Sequence, residues 1–330
     1  MRTSPDNGIA SDNPEETNQS NSPILFQLPV DCRTDEGGTP DCLIQNYKDH
    51  DTTRTSFKDF SCGPRGYDGH TGTDFRVLDD KRYRDGIAVF AAADGRVSRI
   101  EGREPDGLYL ENQPAAERRN PAGNVVLLQH DFGYRTLYAH LKKGSVTVEP
   151  GDYVKAGDVI GFVGLSGFTE FPHLHFEIRR KTARTEFVDP FSFQGNETCV
   201  EERSKKQRLW SDDNNPSLQY QDTRTKSGWL GEKPKSRELN NPDKPKVLLG
   251  QSDIAIYWVQ SFHQTTEQEL LLKIKDSSGN LLSKHQCAFE SFKAQTLCFV
   301  GVRLSSLGLT GRNQDEILQK IYGEHELRSK

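Results

Sequence analysis

Between Pro172 and Arg179 the chain alternates with a period of two, Leu174, Phe176 and Ile178 interleaving with His173, His175 and Glu177. An extended strand puts residues two apart on one face. The run therefore predicts a strand with a core on one side and two neighbouring imidazoles on the other. Such a pair is half of a metal site, so the missing donors are to be sought elsewhere. Upstream, Tyr67-Asp68-Gly69-His70-Thr71-Gly72-Thr73-Asp74-Phe75 offers a histidine and a carboxylate four apart, among glycines that predict a tight loop and not a helix. A further histidine, His140, closes a β-patterned run that begins at Asn124.

Imidazole nitrogen and carboxylate oxygen in a tetrahedral set suit zinc best. A catalytic zinc keeps one position open, so three protein ligands suffice. His70, His140, His173, His175 and Asp74 exceed that number, and some of them are expected to act as acid, base or oxyanion-stabilising groups. The residues alone do not say which.

His70-x-x-x-Asp74, then Tyr138-x-His140, then Gly164-Leu165-Ser166-Gly167 leading into His173-x-His175, in that order, resemble the lysostaphin and LytM-type zinc metallopeptidases, with a catalytic domain of the duplicated hybrid motif type. The resemblance covers roughly residues 63–190. It implies a compact antiparallel β domain with an open groove, zinc at the groove's floor, and cleavage of peptide bonds in the cross-bridges or stem peptides of bacterial peptidoglycan. By the same resemblance His70, Asp74 and His175 are the ligands of one zinc ion per chain, and His140 and His173 are catalytic histidines beside the activated water. Residues 149–161 match the family's turn-strand-turn pattern. Before Pro172 the family usually has small residues, whereas this chain has Glu170 and Phe171, which makes Phe171 a candidate substrate contact.

Two other readings accompany this one. Relatives of such domains serve as non-catalytic wall-binding or hydrolase-activating modules, although they typically lose ligands and none is lost here. A secreted zinc protease acting on other proteins or peptides is the third. Glu177 shares the face of His175, where it either orients a ligand histidine or lies solvated. His50, His130, His263, His285 and His325 are assigned no role.

The remaining composition bounds the setting. A chain of 330 residues allows two domains. A net charge of -5 with both signs interspersed gives no case for nucleic acid, and no apolar run approaches the ~20 residues of a membrane-spanning helix. Residues 1–23 are polar and expected to be disordered, without the basic start and apolar stretch of a secretory signal. Cys32, Cys42, Cys62, Cys199, Cys287 and Cys298 show no Cys-x-x-Cys spacing, which favours disulfides over a structural zinc cluster. Locality pairs Cys32 with Cys42 and Cys287 with Cys298, leaving Cys62 and Cys199 to clasp the ends of the catalytic domain. Oxidised cysteines predict an extracytoplasmic protein, periplasmic or secreted, despite the missing signal.

Short strand patterns separated by turns describe a mainly β chain. A cysteine-containing lead-in is expected over residues 24–62 and the metallopeptidase domain over 63–199. Within it strands are predicted at 87–92, 95–100, 124–130, 135–141, 159–163 and 172–179, with hairpin-like turns at Asp94-Gly95 and Asp131-Phe132-Gly133. The pattern lapses over 101–123, a long loop that would wall the groove with Tyr109 or Arg118 against substrate. Residues 200–245 read as a linker, 246–305 as a small β-sandwich-like accessory domain of Ig-like character, and 306–330 as a polar tail with a short helix near 314–322. In the accessory domain Tyr257 and Trp258 alternate as core residues more often do than as sugar platforms.

Overall fold

A computed structural model of the chain describes residues 24–34, 36, 39–51, 53–109, 120–181, 185–192, 208–212, 214–220 and 223–330. The polar amino terminus, Arg118 and Cys199 lie outside the described residues. The chain is mainly β, in antiparallel sheets.

The lead-in supplies β1 (Cys42–Asn46), buried along its whole length. It pairs with β2 (Thr73–Val77). After the short helix α1 (Asp80–Asp85), capped by the Asp79 carboxylate, come β3 (Ala88–Phe90), β4 (Gly95–Glu101), β5 (Asn124–Gln129), β6 (Tyr134–Leu141), β7 (Tyr153–Val154), β8 (Val159–Phe162), β9 (His173–Lys181) and β10 (Thr185–Val188). The main sheet runs β1-β2-β9-β6-β5-β4-β7, with β10 paired to β9, and β3 and β8 form a small second sheet. The alternation of β9 works as predicted: Leu174, Phe176 and Ile178 are at most 1% exposed and join Phe75, Tyr138 and Val126 in one core. Burying each such side chain contributes roughly 1.5–3 kcal/mol, which holds the opposite face of the strand in place.

The Asp131-Phe132-Gly133 turn joins β5 to β6. Asp94-Gly95 does not fold β3 back onto β4, contrary to expectation. Instead β3 pairs with β8 and β4 with β5 and β7, because Ala91 and Ala92 turn into the core with no exposure and Ala91 bonds across to Asp158 and Gly157. Gly95 is required there for a different reason, since a Cβ would lie 2.6 Å from His130 Nδ1.

Beyond residue 208 the chain first returns to the catalytic core, burying Leu209 and Trp210. A second unit follows, made of β11 (Arg224–Leu230), α2 (Ser236–Leu239), β12 (Ile254–Gln264), β13 (Gln268–Asp276), β14 (Leu281–Ala288), β15 (Lys293–Arg303), α3 (Gln314–Leu318) and β16 (Ile321–Ser329). Two three-stranded sheets, β11-β12-β15 and β14-β13-β16, enclose a core that includes Tyr257, Val259, Leu270, Leu272, Ile274 and Val300. Tyr257 and Trp258 are buried. Three elements differ from expectation, α2 in the stretch read as linker being one. The stretch read as linker contains β11, whose polar side chains are tolerated because it is an edge strand with only Trp229 and Leu230 turned strongly inward. The tail contains β16, whose charged face hides an alternation of Ile321, Gly323, His325 and Leu327 against β13, so α3 stops at Leu318.

Cys32–Cys42 and Cys287–Cys298 are disulfides, with Cα separations of 5.6 and 6.2 Å. Cys62 is also disulfide-bonded. The second unit leans on β1: the His263 Nε2–H donates to the Gln45 carbonyl at 3.0 Å and Gln45 Nε2 donates to the Ala294 carbonyl at 2.8 Å. His50 bonds Asp189, His130 bonds Thr136 and the Asp94 carbonyl, and His325 bonds Tyr257 and Thr225. These contacts lie within the fold.

Candidate metal centre

The paired register of β2 and β9 sets Asp74 opposite His175 and Arg76 opposite His173. Cross-strand partners share a face, so four polar side chains form one patch on the side away from the core. His70 reaches the patch from the turn before β2. The expectation of a tight loop holds for His70, whereas Asp74 already belongs to the strand. Gly72 permits the approach, because a Cβ there would meet the Phe176 carbonyl at 2.5 Å and His175 Cε1 at 2.9 Å.

Three donor atoms converge. His70 Nε2 lies 3.1 Å from Asp74 Oδ1 and 3.2 Å from His175 Nδ1, and His175 Nδ1 lies 2.8 Å from Asp74 Oδ1. Ligands at zinc's usual 2.0–2.1 Å in a tetrahedron stand ~3.3 Å apart, so the triangle matches the face of such a site. The outward atoms explain why it persists. His70 Nδ1–H donates to the Tyr47 carbonyl at 2.7 Å, and His175 Nε2–H donates to Glu177 Oε1 at 3.0 Å. With those protons directed away, two imidazole lone pairs and a carboxylate oxygen face one another, which a cation relieves. Without one, a proton does so. Burial opposes charging of His175, yet its bonds to Asp74 and Glu177 outweigh burial and lift its pKa to about 9. Burial likewise works against the Asp74 carboxylate, but the surrounding histidines hold its pKa well below the usual range.

His140 and His173 stand beside the triangle, their ring centroids 4.7 Å apart. His140 owes its position to a β-bulge. Between the pairs Asn124 with Leu141 and Val126 with Tyr138, two residues of β6 oppose one of β5, and His140 takes φ 60°. A left-handed histidine costs on the order of 1–3 kcal/mol, and the bulge re-aims its side chain. Tyr138 is consequently in the core and His140 in the groove, although Tyr-x-His in a regular strand would share a face. Both rings donate from Nδ1 to carbonyls, His140 to Ser166 at 2.8 Å and His173 to Phe171 at 2.9 Å, with Thr169 Oγ1 also at 3.0 Å from the latter. That leaves Nε2 as the unprotonated nitrogen of each ring, with His173 Nε2 3.7 Å from Asp74 Oδ1. Burial, joined by the neighbouring His173 and His175, keeps the His140 pKa well below normal, and burial lowers that of His173 against the pull of Asp74.

Glu177 is buried and not solvated. Burial raises the pKa of its carboxyl, but His175, Thr71 and Arg179 together bring it down to about 2. A carboxylate behind a ligand histidine fixes its tautomer and strengthens the ligand. Asn46 Nδ2 holds the second Asp74 oxygen at 2.8 Å. Asn46 and the Tyr47 carbonyl were not anticipated; both come from the lead-in, more than twenty residues before His70, and no local pattern marks them. Glu177→Gln is expected to weaken metal binding ~10- to 100-fold, read by competition with a metal chelator. Affinity within twofold of the parent would make the contact incidental.

The triangle opens into a cavity of about 610 Å³ lined by Tyr67, His140, Phe168, Phe171 and His173, among others. The Phe171 ring packs against His173 at a tilt of 42°, with centroids 4.7 Å apart. Tyr109 stands behind this wall, its ring packed on Phe168 at 4.2 Å. A second group of donor types, His285 with Cys287 and Cys298, holds no thiolate because the two cysteines are bonded to each other.

Residues 68–190 match Peptidase family M23. The DD-carboxypeptidase/endopeptidase Mpg of Neisseria meningitidis serogroup B is 37% identical over 110 residues, 33% of this chain and 20% of that one. The peptidoglycan DD-endopeptidase ShyB of Vibrio cholerae serotype O1 is 33% identical over 110 residues, with the same coverage of 33% and 20%. Lysostaphin of Staphylococcus simulans is 48% identical over 56 residues, 17% of this chain and 11% of that one. The chain thus spans a fifth or less of the length of these curated relatives. The matched segment contains His70, Asp74 and His175, and the chain carries a peptidase family M23 domain.

Proposed function

We propose that the chain is a zinc-dependent endopeptidase that hydrolyses peptide bonds of bacterial peptidoglycan, in cross-bridges or stem peptides, outside the cytoplasm. The observation that carries this reading is the convergence of His70 Nε2, Asp74 Oδ1 and His175 Nδ1 within 3.2 Å of one another, with the other ring nitrogens tied outward. A bound zinc ion would polarise the substrate carbonyl and acidify water enough for attack near neutral pH. His70, Asp74 and His175 would hold it, and Glu177, Asn46 and the Tyr47 carbonyl would orient them.

The chain's own residues supply the rest. Water attacks the carbonyl carbon, the carbon–nitrogen bond breaks, and the water's proton ends on the leaving amine. His140 and His173 line the groove with an unprotonated Nε2 each, kept neutral by burial, as a general base must be before it accepts a proton. Once protonated, either ring donates to the oxyanion of the tetrahedral adduct or to the amine. The relatives named for peptidoglycan and the chain's disulfides support wall substrate and extracytoplasmic location.

The test is zinc content of the purified chain together with amino-group release from purified peptidoglycan and from casein. About one zinc per chain, with wall hydrolysis abolished by a chelator and restored by zinc, is the expected result. Bound zinc with hydrolysis of casein alone would replace the wall by other proteins as substrate. Zinc-free, metal-independent hydrolysis would overturn the reading.

A further inference from the structure

The groove has walls of two origins. Ser236, Arg237 and Asn240 of the α2 region and Ala294 and Gln295 of β15 line the same cavity as His140 and His173. At the foot of that wall lies Arg76, on β2 two residues beyond Asp74 and directly opposite His173.

Arg76 is only 3% exposed, its guanidinium held between the rings of Phe171 and Phe262 at 4.3 and 4.5 Å. Nη1 donates to Gln45 Oε1 at 3.2 Å and Gln295 Oε1 at 2.6 Å, and Nη2 to Asn240 Oδ1 at 2.7 Å. All three acceptors are neutral amides. A guanidinium has five N–H donors in a planar fork, and here Nε–H has no partner. Among the described residues no carboxylate pairs with Arg76. Asp74 faces the histidines, Asp80 is taken by Lys226 and Lys246 at 2.6 and 3.1 Å, and Glu170 stands exposed at the rim. Asp80 and Glu170 act on the guanidinium only through space, and a buried cation without a bonded counter-charge is costly, so the amides around it leave it oriented for an anion that arrives from outside. The Nε edge of a guanidinium is the side that matches a carboxylate with two parallel bonds.

We propose that Arg76 is a substrate-binding residue that receives a carboxylate of the peptide, held ready by amides of which two, Asn240 and Gln295, belong to the C-terminal unit. Two residues of strand separate it from the ligand Asp74, ~7 Å, which is the reach of one or two substrate residues from the scissile bond. The carboxylate is therefore a chain terminus or an acidic side chain close to the cut. The C-terminal unit acts as a specificity wall for the site. This rests on the peptidase reading.

The experiment uses the full zinc-loaded chain and three matched short peptides: one ending in a free carboxylate, one ending in an amide, and one ending in an amide but carrying a glutamate side chain beside the cleaved bond. Hydrolysis by the zinc-loaded chain gives kcat/KM, and in a separate arm calorimetric titration of the same full chain after EDTA treatment gives Kd without turnover. The wild type is expected to favour a carboxylate peptide over the plain amide ~10-fold or more in both, the preferred peptide telling terminus from side chain. Arg76→Gln is expected to erase the preference, and Arg76→Lys to keep part of it. Equal kcat/KM and Kd for all three peptides in the wild type, or a preference that survives in Arg76→Gln, would overturn the proposal. The wild-type comparison decides even where Arg76→Gln fails to fold. Absence of hydrolysis with a retained binding preference would sink the peptidase reading and leave the subsite standing.

Discussion

Replacing His175 by alanine is expected to leave the purified chain without stoichiometric zinc and to lower peptide hydrolysis by on the order of 10³-fold or more. The magnitude follows from comparison: loss of a residue that merely supports a ligand costs ~10- to 100-fold in metal affinity or activity, and a lost ligand also removes the water activation that the reaction needs. His175 bonds Asp74 on one side and Glu177 on the other, so its loss also frees both carboxylates. The strand itself should survive, because β9 is anchored by Leu174, Phe176 and Ile178 on the opposite face. Metal analysis, hydrolysis and thermal unfolding of His175→Ala, with His70→Ala alongside, check this together. A variant that keeps one zinc and full activity would remove His175 from the ligand set.

Alanine at His140 or at His173 should separate chemistry from metal binding. Each variant is expected to retain zinc while kcat falls ~10²- to 10⁴-fold, the range of a positioned acid or base. In the proposed mechanism the two rings, 4.7 Å apart, share one proton and one oxyanion, so the double variant should lose less than the product of the single losses. Paired measurements of zinc content and kcat across the three variants decide it. Activity within tenfold of the parent in either single variant would exclude that ring from the chemistry, and loss of zinc would move it into the ligand set. His140→Ala carries a further consequence, since alanine at φ 60° keeps the strain of the bulge while losing the bond to Ser166.

Much of the site was legible because β9 writes its geometry in adjacent residues. A period of two dictates which side chains share a face, and hydrophobic burial on one side then fixes the other. The His70 and Asp74 pair was legible for a related reason, being four residues apart at the start of a strand. Glu177 was ambiguous from sequence, because whether a strand carboxylate is solvated depends on what covers it; Thr71 and Arg179 cover it here. Asn46 and Tyr47 gave no signal. Their roles arise from pairing β1 with β2, a contact between segments whose separation leaves no local trace.

The same division runs through the fold. Alternation along the chain by itself determined that the protein is mainly β, which residues carry donor atoms, and which face of β9 they occupy, since these depend on backbone geometry within a few residues. Only the tertiary structure decided that β3 pairs with β8, that a bulge sends His140 to the groove and Tyr138 to the core, and that Asn240 and Gln295 reach Arg76 from the far end of the chain. Those outcomes are set by packing between distant segments, where the free energy belongs to a surface that neither segment possesses alone.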